Sequence, residues 1–324
     1  MITGKKGNAL KAVVTGGAGF IGSHLVDALI ARGDEVTVID NLSTGDLRNV
    51  GRHVDSGAAR FVRKDLLGDG WQDAIRGADR VYHLAADPDV RASAGNPAMV
   101  YAQNVTSTVR VLEAMRDAGC DEVVFTSTST VYGEADLIPT PEEYPGMQPI
   151  SIYGSTKLAC EAMISGYAHT YGWRSWVFRF ANIIGERSNH GVIWDFIHKL
   201  RANPHELEIL GNGRQQKSYC SVSACVDAVL FAVDRTNEPF SCFNIGTEDW
   251  IDVTSIASIV TAEMGLRGVS FRYTGGDRGW VGDVPRMLLS VEKLKSLGWR
   301  PGLNSEASVR EAARALLRDT GQIP

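Results

Sequence analysis

Two residues near the middle of the chain are of types that could act together as a base. Tyr153 and Lys157 are four positions apart, so on a helix they share one face and the ammonium can approach the phenol. A nearby positive charge favours the ionised phenol, which otherwise has a pKa of about 10 and is a poor base near neutrality. By itself the pair is typical of an ordinary helix surface, so its chemistry depends on what the rest of the chain provides.

A glycine-rich turn lies near the amino terminus. Gly16, Gly19 and Gly22 follow a short run of apolar and β-branched residues and begin a segment with helical spacing. Glycine permits a tight turn and a close approach of backbone to ligand, and the amino terminus of the helix then faces a pyrophosphate. The turn, which includes Phe20 and Ile21, therefore predicts a dinucleotide site.

An aspartate follows this turn where a ribose would lie. Asp40 ends the next predicted strand, and its carboxylate can accept hydrogen bonds from an adenosine ribose; a helix-capping or turn aspartate is the alternative. No arginine or lysine stands at 41–45 to bind a 2′-phosphate, which favours NAD over NADP. Asp65 and Leu66 could hold the adenine edge, although an exposed turn would also explain Asp65. The remaining cofactor candidates are Asn41, Ser43, Thr44, Gly45, Leu84, Ala85, Ala86 and Asn104.

The composition is that of an ordinary globular protein. The chain has 324 residues, 44% of them hydrophobic and 22% charged, and its net charge is -5 with both signs interspersed. There is no basic stripe for a nucleic-acid backbone and no apolar stretch of the roughly 20 residues that a membrane span requires. Residues 1–11 lack the features of a signal peptide, so a cytoplasmic location is expected.

Cysteine and histidine usage argues against a disulfide framework or a metal centre. The seven histidines form no His-Glu-x-x-His arrangement, and the cysteines are odd in number and scattered. We therefore expect buried, reduced thiols and no metal. The cysteines are Cys120, Cys160, Cys220, Cys225 and Cys242.

The hydrophobic pattern alternates between strands and helices over the first 180 residues. Strands are predicted at 10–15, 35–40, 60–63, 80–84, 122–127 and 175–180, and helices at 20–32, 97–118 and 152–171. This order predicts an α/β fold with a doubly wound parallel Rossmann sheet of six or seven strands and helices on both faces.

The pattern becomes less regular after residue 180. Helices are predicted at 192–201 and 222–234, strands at 241–245 and 269–273, a turn at 211–213 and a Gly-Asp-rich loop at 275–283. A further helix follows residue 252, and two helices end the chain. We expect a dinucleotide-binding domain over 8–180 plus about 219–246, interwoven with a smaller α/β substrate-binding domain over 181–218 and 247–324.

Five segments together resemble the extended short-chain dehydrogenase/reductase family, and specifically its nucleotide-sugar epimerase branch. They are 16–25, 40–45, 83–86, 126–133 and 153–157. The likeness covers nearly the whole chain. Its carboxyl-terminal half adds 179–182, 210–213, 243–246 and 276–278, where such enzymes hold the UDP part of their substrate.

The resemblance implies roles for the central residues. Tyr153 would take the proton from a sugar 4-hydroxyl while hydride leaves C4 for NAD, and Lys157 would bind the nicotinamide ribose and lower the pKa of the tyrosine. Thr128 would direct its hydroxyl to the reacting oxygen, although a strand-end hydroxyl bonded to backbone would look the same. Asn104 matches a structural asparagine of the family or is a plain helix-surface amide.

The resemblance also implies a UDP-sugar site. Asn182, Lys217 and Arg278 would hold the diphosphate; many relatives have arginine in place of Lys217, which puts bidentate contact there in doubt. Arg91 and Arg187 could pair with a C6 carboxylate, and solvated or diphosphate-facing arginines would serve as well. Ser129 and Val192 complete the implied substrate site.

The residues after Thr128 narrow the reaction. Dehydratases of this family carry an Asp-Glu pair there to expel the C6 hydroxyl, whereas Ser129 and Thr130 can supply neither acid nor base. A C4 epimerase needs no such pair. The substrate remains open between UDP-glucose/UDP-galactose and UDP-glucuronate/UDP-galacturonate. UDP-glucuronate decarboxylation, which also begins by oxidising C4, and a non-catalytic dinucleotide sensor are the alternatives.

The family resemblance further implies a homodimer. Related chains pair through the two helices that correspond to 97–118 and 152–171, which together form a four-helix bundle.

Overall fold

A seven-stranded parallel sheet forms the centre of the molecule. The computed structural model describes residues 9–319. In chain order their strands are β1 (Lys11–Thr15), β2 (Glu35–Asp40), β3 (Ala59–Arg63), β4 (Arg80–His83), β5 (Glu122–Thr128), β6 (Arg174–Phe180), β7 (Asn182–Ile184), β8 (Glu206–Ile209), β9 (Gln216–Lys217), β10 (Tyr219–Ser221), β11 (Phe240–Ile245), β12 (Ile251–Asp252), β13 (Ser270–Tyr273) and β14 (Arg286–Met287). The main sheet has the strand order β11-β6-β5-β4-β1-β2-β3, and all six neighbouring pairs run parallel.

Helices cover both faces of this sheet. In chain order the helices of the described residues are α1 (Phe20–Ala31), α2 (Gly51–Asp55), α3 (Pro97–Tyr101), α4 (Ser107–Ala118), α5 (Ile152–Tyr171), α6 (Val192–Ala202), α7 (Val222–Val233), α8 (Val253–Glu263), α9 (Glu292–Ser296) and α10 (Ser305–Asp319). Of these, α1 and α7 pack on one face of the sheet, and α4 and α5 on the other. The predicted fold class, a doubly wound Rossmann sheet, is confirmed.

Alternate side chains of the central strands enter two separate hydrophobic cores. Val124 and Phe178 pack in the core beneath α1 and α7, whereas Phe125 and Val177 pack in the core beneath α4 and α5. Successive side chains of a strand point to opposite faces, so a strand buried on both sides must be apolar at consecutive positions. This requirement explains the unbroken apolar runs of β5 and β6.

The strand order places several candidate site residues at the carboxyl-terminal edge of the sheet. The order reverses direction between β1 and β4, and ligands of such sheets bind outside the carboxyl ends of the strands at that point. Gly16 follows β1, Leu84 follows β4, and Asp40 and Thr128 end β2 and β5. All four therefore lie at the same edge.

A smaller set of strands and helices lies beyond this edge. β9 pairs with both β12 and β14, β8 pairs with β13, and α6, α8 and α10 surround a third hydrophobic core. The chain also returns to the main sheet through β11. The division into two interwoven domains remains our proposal.

The predicted helix at 97–118 is interrupted. Between α3 and α4 the segment Ala102–Thr106 is π-helical. The sequence analysis also missed β7, β8, β9, β10, β12 and β14, which have two to four residues each and lie outside the regular alternation of the main sheet.

All five cysteines are buried free thiols, as expected. None of the helices between residues 9 and 319 is long and apolar enough to cross a membrane. The same stretch contains no group of three or more His, Cys, Asp or Glu side chains suited to a metal ion.

Candidate active site

The glycine turn leaves no room for side chains. Gly16 has φ +71, and a Cβ there would lie 2.7 Å from the backbone nitrogen of Ala85; a Cβ on Gly22 would collide with the carbonyl oxygen of Gly16. The turn is thus packed against the strand-end residues Leu84 and Ala85. Its bare backbone also allows a ligand to approach closely.

The amino terminus of α1 is free to bind an anion. Gly19 is its N-cap, no side chain caps it, and its first turn carries no acidic residue. Its backbone N–H groups and the positive end of the helix dipole are therefore available for a pyrophosphate. A helix start that follows a glycine turn and has no side-chain cap fits the pyrophosphate of a dinucleotide.

Asp40 is held by the same turn. Its carboxylate accepts the backbone N–H groups of Ala18 at 3.0 Å and Leu42 at 2.8 Å, and burial raises its pKa. The carboxylate keeps free lone pairs for a ribose hydroxyl, so it acts as a turn aspartate and also suits ribose binding.

The adenine candidates form one supported loop. Asp65 accepts hydrogen bonds from the Asn41 side chain at 3.0 Å and from the backbone of Leu67 at 2.8 Å, and Leu66 is buried. Arg110 donates to the carbonyl of Leu67 at 2.9 Å and thereby anchors the loop to α4. Asp65 is thus more than an exposed turn residue.

The loop after β2 lies against the turn. The Ser43 N–H donates to the Asn41 side chain at 2.9 Å, and a Cβ on Gly45 would lie 2.9 Å from the carbonyl carbon of Ala18. The carbonyl of Thr44 accepts a hydrogen bond from Asn189 at 3.1 Å. The segment after Gly185 therefore contacts the loop after β2.

His83 is a buried residue at the end of β4 that connects β1 to α4. It lies between the hydroxyls of Thr15 at 2.7 Å and Thr108 at 2.9 Å, and burial lowers its pKa to about 3. It is a neutral, structural residue near pH 7.

The Lys157 ammonium contacts the sheet. It donates to the carbonyl of Thr126 at 2.9 Å and lies 4.6 Å from the centre of the Phe125 ring, and burial lowers its pKa to about 8. Tyr153 is half-buried, and burial raises its pKa well above its ordinary value, with Asp87 acting in the same direction. The expected lowering of the tyrosine pKa is therefore absent in the polypeptide alone, because burial disfavours the charged phenolate.

Thr128 is the last residue of β5 and faces the helix that carries Tyr153. Its hydroxyl accepts the backbone N–H of Thr130 at 3.2 Å, which matches the strand-end alternative, and lies 3.2 Å from the Thr130 hydroxyl. If Thr130 donates in that contact, the Thr128 proton stays free for a ligand. Gly154 lies against Thr130, so close that a Cβ there would be 2.8 Å from the threonine carbonyl oxygen. The first turn of α5 and the segment after Thr128 are therefore packed together.

Asn104 is buried in the π-helical segment. Its amide donates to the hydroxyl of Thr156 at 2.9 Å and accepts the backbone N–H of Asp87 at 2.8 Å. The helix-surface alternative was therefore wrong. The asparagine joins the segment after β4 to α5.

Two of the diphosphate candidates meet at one loop. Lys217 forms an ion pair with Asp283 at 2.5 Å, and Arg278 donates to the carbonyl of Asp283 at 2.6 Å and pairs with Glu134 at 2.6 Å. Asn182 donates to the carbonyl of Ser218, next to Lys217, at 3.1 Å. The sequence reasoning missed Asp283, although it lies in the Gly-Asp-rich loop already singled out.

The remaining substrate candidates lie in separate surroundings. Arg187 donates to Asp27 of α1 at 2.8 Å, and Arg91 is exposed. Val192 packs against the third core, at the start of α6. Ser129 begins the 3-10 turn after Thr128, close to α5.

Comparison with known proteins matches this chain to one family. A family model described as NAD dependent epimerase/dehydratase matches residues 12–246. A curated relative from Methanocaldococcus jannaschii, provisionally named a UDP-glucose 4-epimerase, is 35% identical over 92% of this chain and 95% of its own. UDP-glucuronic acid decarboxylase 2 of Arabidopsis thaliana is 30% identical over 98% of this chain and 70% of its own.

A solved structure is also similar. A crystal structure of a UDP-galactose 4-epimerase is 45% identical, covers 96% of this chain and 99% of its own, and superposes with a TM-score of 0.86.

Proposed function

The chain belongs to the NAD dependent epimerase/dehydratase family, and from this premise we propose that it is a UDP-sugar 4-epimerase that interconverts UDP-glucose and UDP-galactose. NAD is its cofactor. One observation carries the proposal: the helix with Tyr153 and Lys157 packs against a strand end that offers Thr128 but no acid–base pair after it. That set suits reversible oxidation at C4.

The residues that would hold NAD surround the glycine turn. The turn and the uncapped start of α1 would bind the pyrophosphate, and Asp40 the adenosine ribose. When bound, NAD supplies reversible acceptance of a hydride. Every other task falls to the chain.

Tyr153 would exchange a proton with the sugar 4-hydroxyl. Burial raises its pKa, so the phenolate must be stabilised when cofactor and substrate are present. The buried Lys157 ammonium would provide one positive charge, and the Thr128 hydroxyl would donate to the same sugar oxygen. Because its pKa is lowered to about 8, Lys157 remains mostly protonated at pH 7.

Inversion at C4 requires the sugar to present its opposite face. Lys217 and Arg278, which lie at one loop, would hold the diphosphate while the hexose turns. Because Ser129 and Thr130 bear only hydroxyls, elimination of the C6 oxygen has no acid or base.

A neutral hexose is supported better than a uronate. Arg187, one of two basic candidates for a C6 carboxylate, is bonded to Asp27 on α1. Arg91, the other, is exposed. Arg187 is thus held by an ion pair and Arg91 lies in solvent, although Nη1 of Arg187 is buried without a hydrogen-bond partner and could still donate to a carboxylate.

Proton NMR of the anomeric signals tests the function. Purified protein is mixed separately with UDP-glucose and UDP-glucuronate, first without and then with added NAD. We expect UDP-galactose from UDP-glucose. UDP-galacturonate would shift the substrate assignment, a UDP-pentose would mean decarboxylation, and no product under either condition would favour the sensor alternative.

We also propose a homodimer formed through α5 and the segment from α3 to α4. Large apolar side chains are exposed on these helices, namely Met99, Tyr101, Met163 and Tyr171. A second copy would cover them.

A further inference from the structure

A buried carboxylate follows the proposed base on the same helix. Glu161 lies four positions after Lys157 and eight after Tyr153, so the three side chains share one face of α5. Only 4% of Glu161 is exposed, and the proposed mechanism gives it no role.

Glu161 contacts both neighbouring central strands. Arg179 of β6 donates to its carboxylate through Nη2 at 2.7 Å and through Nε at 3.1 Å, and Ser127 of β5 donates its hydroxyl to Oε1. Arg179 continues to the hydroxyl of Tyr132 at 2.8 Å and the carbonyl of Glu142 at 2.9 Å. The carboxylate is thus the centre of a fully hydrogen-bonded buried cluster.

This cluster is bonded to the end of β5, next to Thr128. Ser127 lies between Thr126, whose carbonyl accepts the Lys157 ammonium, and Thr128. Two consecutive strand positions are therefore bonded to side chains one turn apart on α5.

Stability alone does not account for the arrangement. The cost of desolvating a buried ion pair often equals or exceeds its attraction, and apolar residues of similar volume can be as stable. What the ion pair and its directional hydrogen bonds provide is a fixed distance and rotation between α5 and the strand end.

We propose that Glu161 is a positioning residue that holds α5 against β5, so that the Tyr153 phenol and the Thr128 hydroxyl meet at one substrate oxygen. This role rests on the proposed C4 oxidation. Catalysis is sensitive to such placement, since a displacement of about 1 Å can cost on the order of a hundredfold in rate.

The carboxylate also acts on the charge of Lys157. The titratable groups that influence this ammonium or are influenced by it are Cys160 and Glu161 on its own helix and His83 from β4. Glu161 raises the pKa of Lys157 and so opposes the effect of burial. Removing its charge should leave the ammonium less stable, and the lysine should lose its proton at lower pH.

Glu161→Gln tests the proposal, because it keeps the size of the side chain and removes the charge. With UDP-glucose as substrate we expect kcat to fall about ten- to a hundredfold, KM and bound NAD to change less than about twofold, and the alkaline limb of the kcat profile to move down by roughly half a pH unit. Ser127→Ala, which leaves the ion pair intact, should lower kcat by a smaller factor without moving that limb.

Glu122→Gln is the matched control. Glu122 is also buried on β5, at 7% exposure, and pairs with Arg80 at 2.5 Å and with Arg174, but at the opposite end of the sheet. It should lose thermal stability comparably and keep the kcat and pH profile of the wild type.

The outcomes separate the two levels of the proposal. A wild-type enzyme without epimerase activity would remove the proposed function itself. An active wild type, with Glu161→Gln matching it in kcat and pH profile, would overturn the positioning role alone. Equal losses of kcat in Glu161→Gln and Glu122→Gln would also overturn it, because a general loss of stability would then explain both.

Discussion

At the scale of single residues, the proposed base has an environment that opposes its ionisation. Burial raises the pKa of Tyr153, and Lys157 is bonded to a strand carbonyl in the polypeptide alone. The phenol therefore stays protonated until cofactor and substrate bring further positive charge or hydrogen-bond donors to it. Without its ligands, Tyr153 would therefore not act as a base.

Tyr153→Phe removes the phenolic oxygen and nothing else. We expect kcat to fall about 10²- to 10⁴-fold while bound NAD is unchanged, because the ring would still fill its place. Turnover is measured by NMR, and bound NAD by absorbance after acid release. Tyr167→Phe is the control on the same helix; its hydroxyl bonds to Glu113 on α4, and its loss should leave turnover intact. Undiminished turnover in Tyr153→Phe would disprove the base.

At the scale of elements, the start of α1 suits an anion because its first backbone N–H groups have no side-chain partner. Neither a capping side chain nor an acidic residue competes for the first N–H groups. The turn before the helix can pack against the end of β4 only because Gly16 has no Cβ atom. An anion site of this kind depends on backbone geometry more than on any side chain.

Gly22→Ala should weaken NAD binding without unfolding the protein. The new methyl group would collide with the carbonyl of Gly16 and push the turn aside, at a cost of about 1–3 kcal/mol. If this cost falls on the bound state, NAD affinity drops about 5- to 150-fold, which calorimetric titration of the NAD-free protein would measure.

A second glycine provides the control for this change. Gly166, also helical, has open space where a side chain would begin, with no neighbouring atom within 4 Å of the place that a Cβ would occupy. Gly166→Ala should therefore keep NAD affinity and raise stability by about 0.5–1 kcal/mol. Equal NAD affinity in the two variants would show that the turn does not hold the pyrophosphate.

At the scale of the whole molecule, the site is assembled from both parts of the chain. The loop with Arg278 and Asp283 reaches Glu134, and Gly282 lies against Ile150 just before α5. The loop that carries Arg278 therefore touches the segment just before the helix that bears the base.

The exposed apolar side chains of α5 lead to a prediction about assembly. Met163 is 37% exposed, and Met163→Glu would place a charge in the proposed dimer contact. Light scattering after gel filtration should give about twice 35.1 kDa for the wild type and a single-chain mass for the variant. Leu303→Glu, at the same 37% exposure on another face, should remain dimeric. A wild type of single-chain mass would refute the dimer.

The sequence alone was sufficient for the longer elements of the main sheet, and it predicted where a cofactor groove would lie. Glycine spacing, apolar runs and the Tyr153–Lys157 interval are local properties, because a helix or a strand is set by neighbours a few positions apart. Hence α5 and β2 have the predicted bounds, and the order of elements predicted the parallel sheet.

Contacts between distant residues were decided only by the tertiary structure. Glu161 meets Ser127 and Arg179 because α5 packs across two strands, and Lys217 meets Asp283, 66 positions away, because two loops converge. Sequence periodicity does not predict such contacts. It also does not predict that Arg187 bonds to Asp27 of α1. Spacing along a chain specifies which face a side chain occupies, but its partner across that face is set by how whole elements pack.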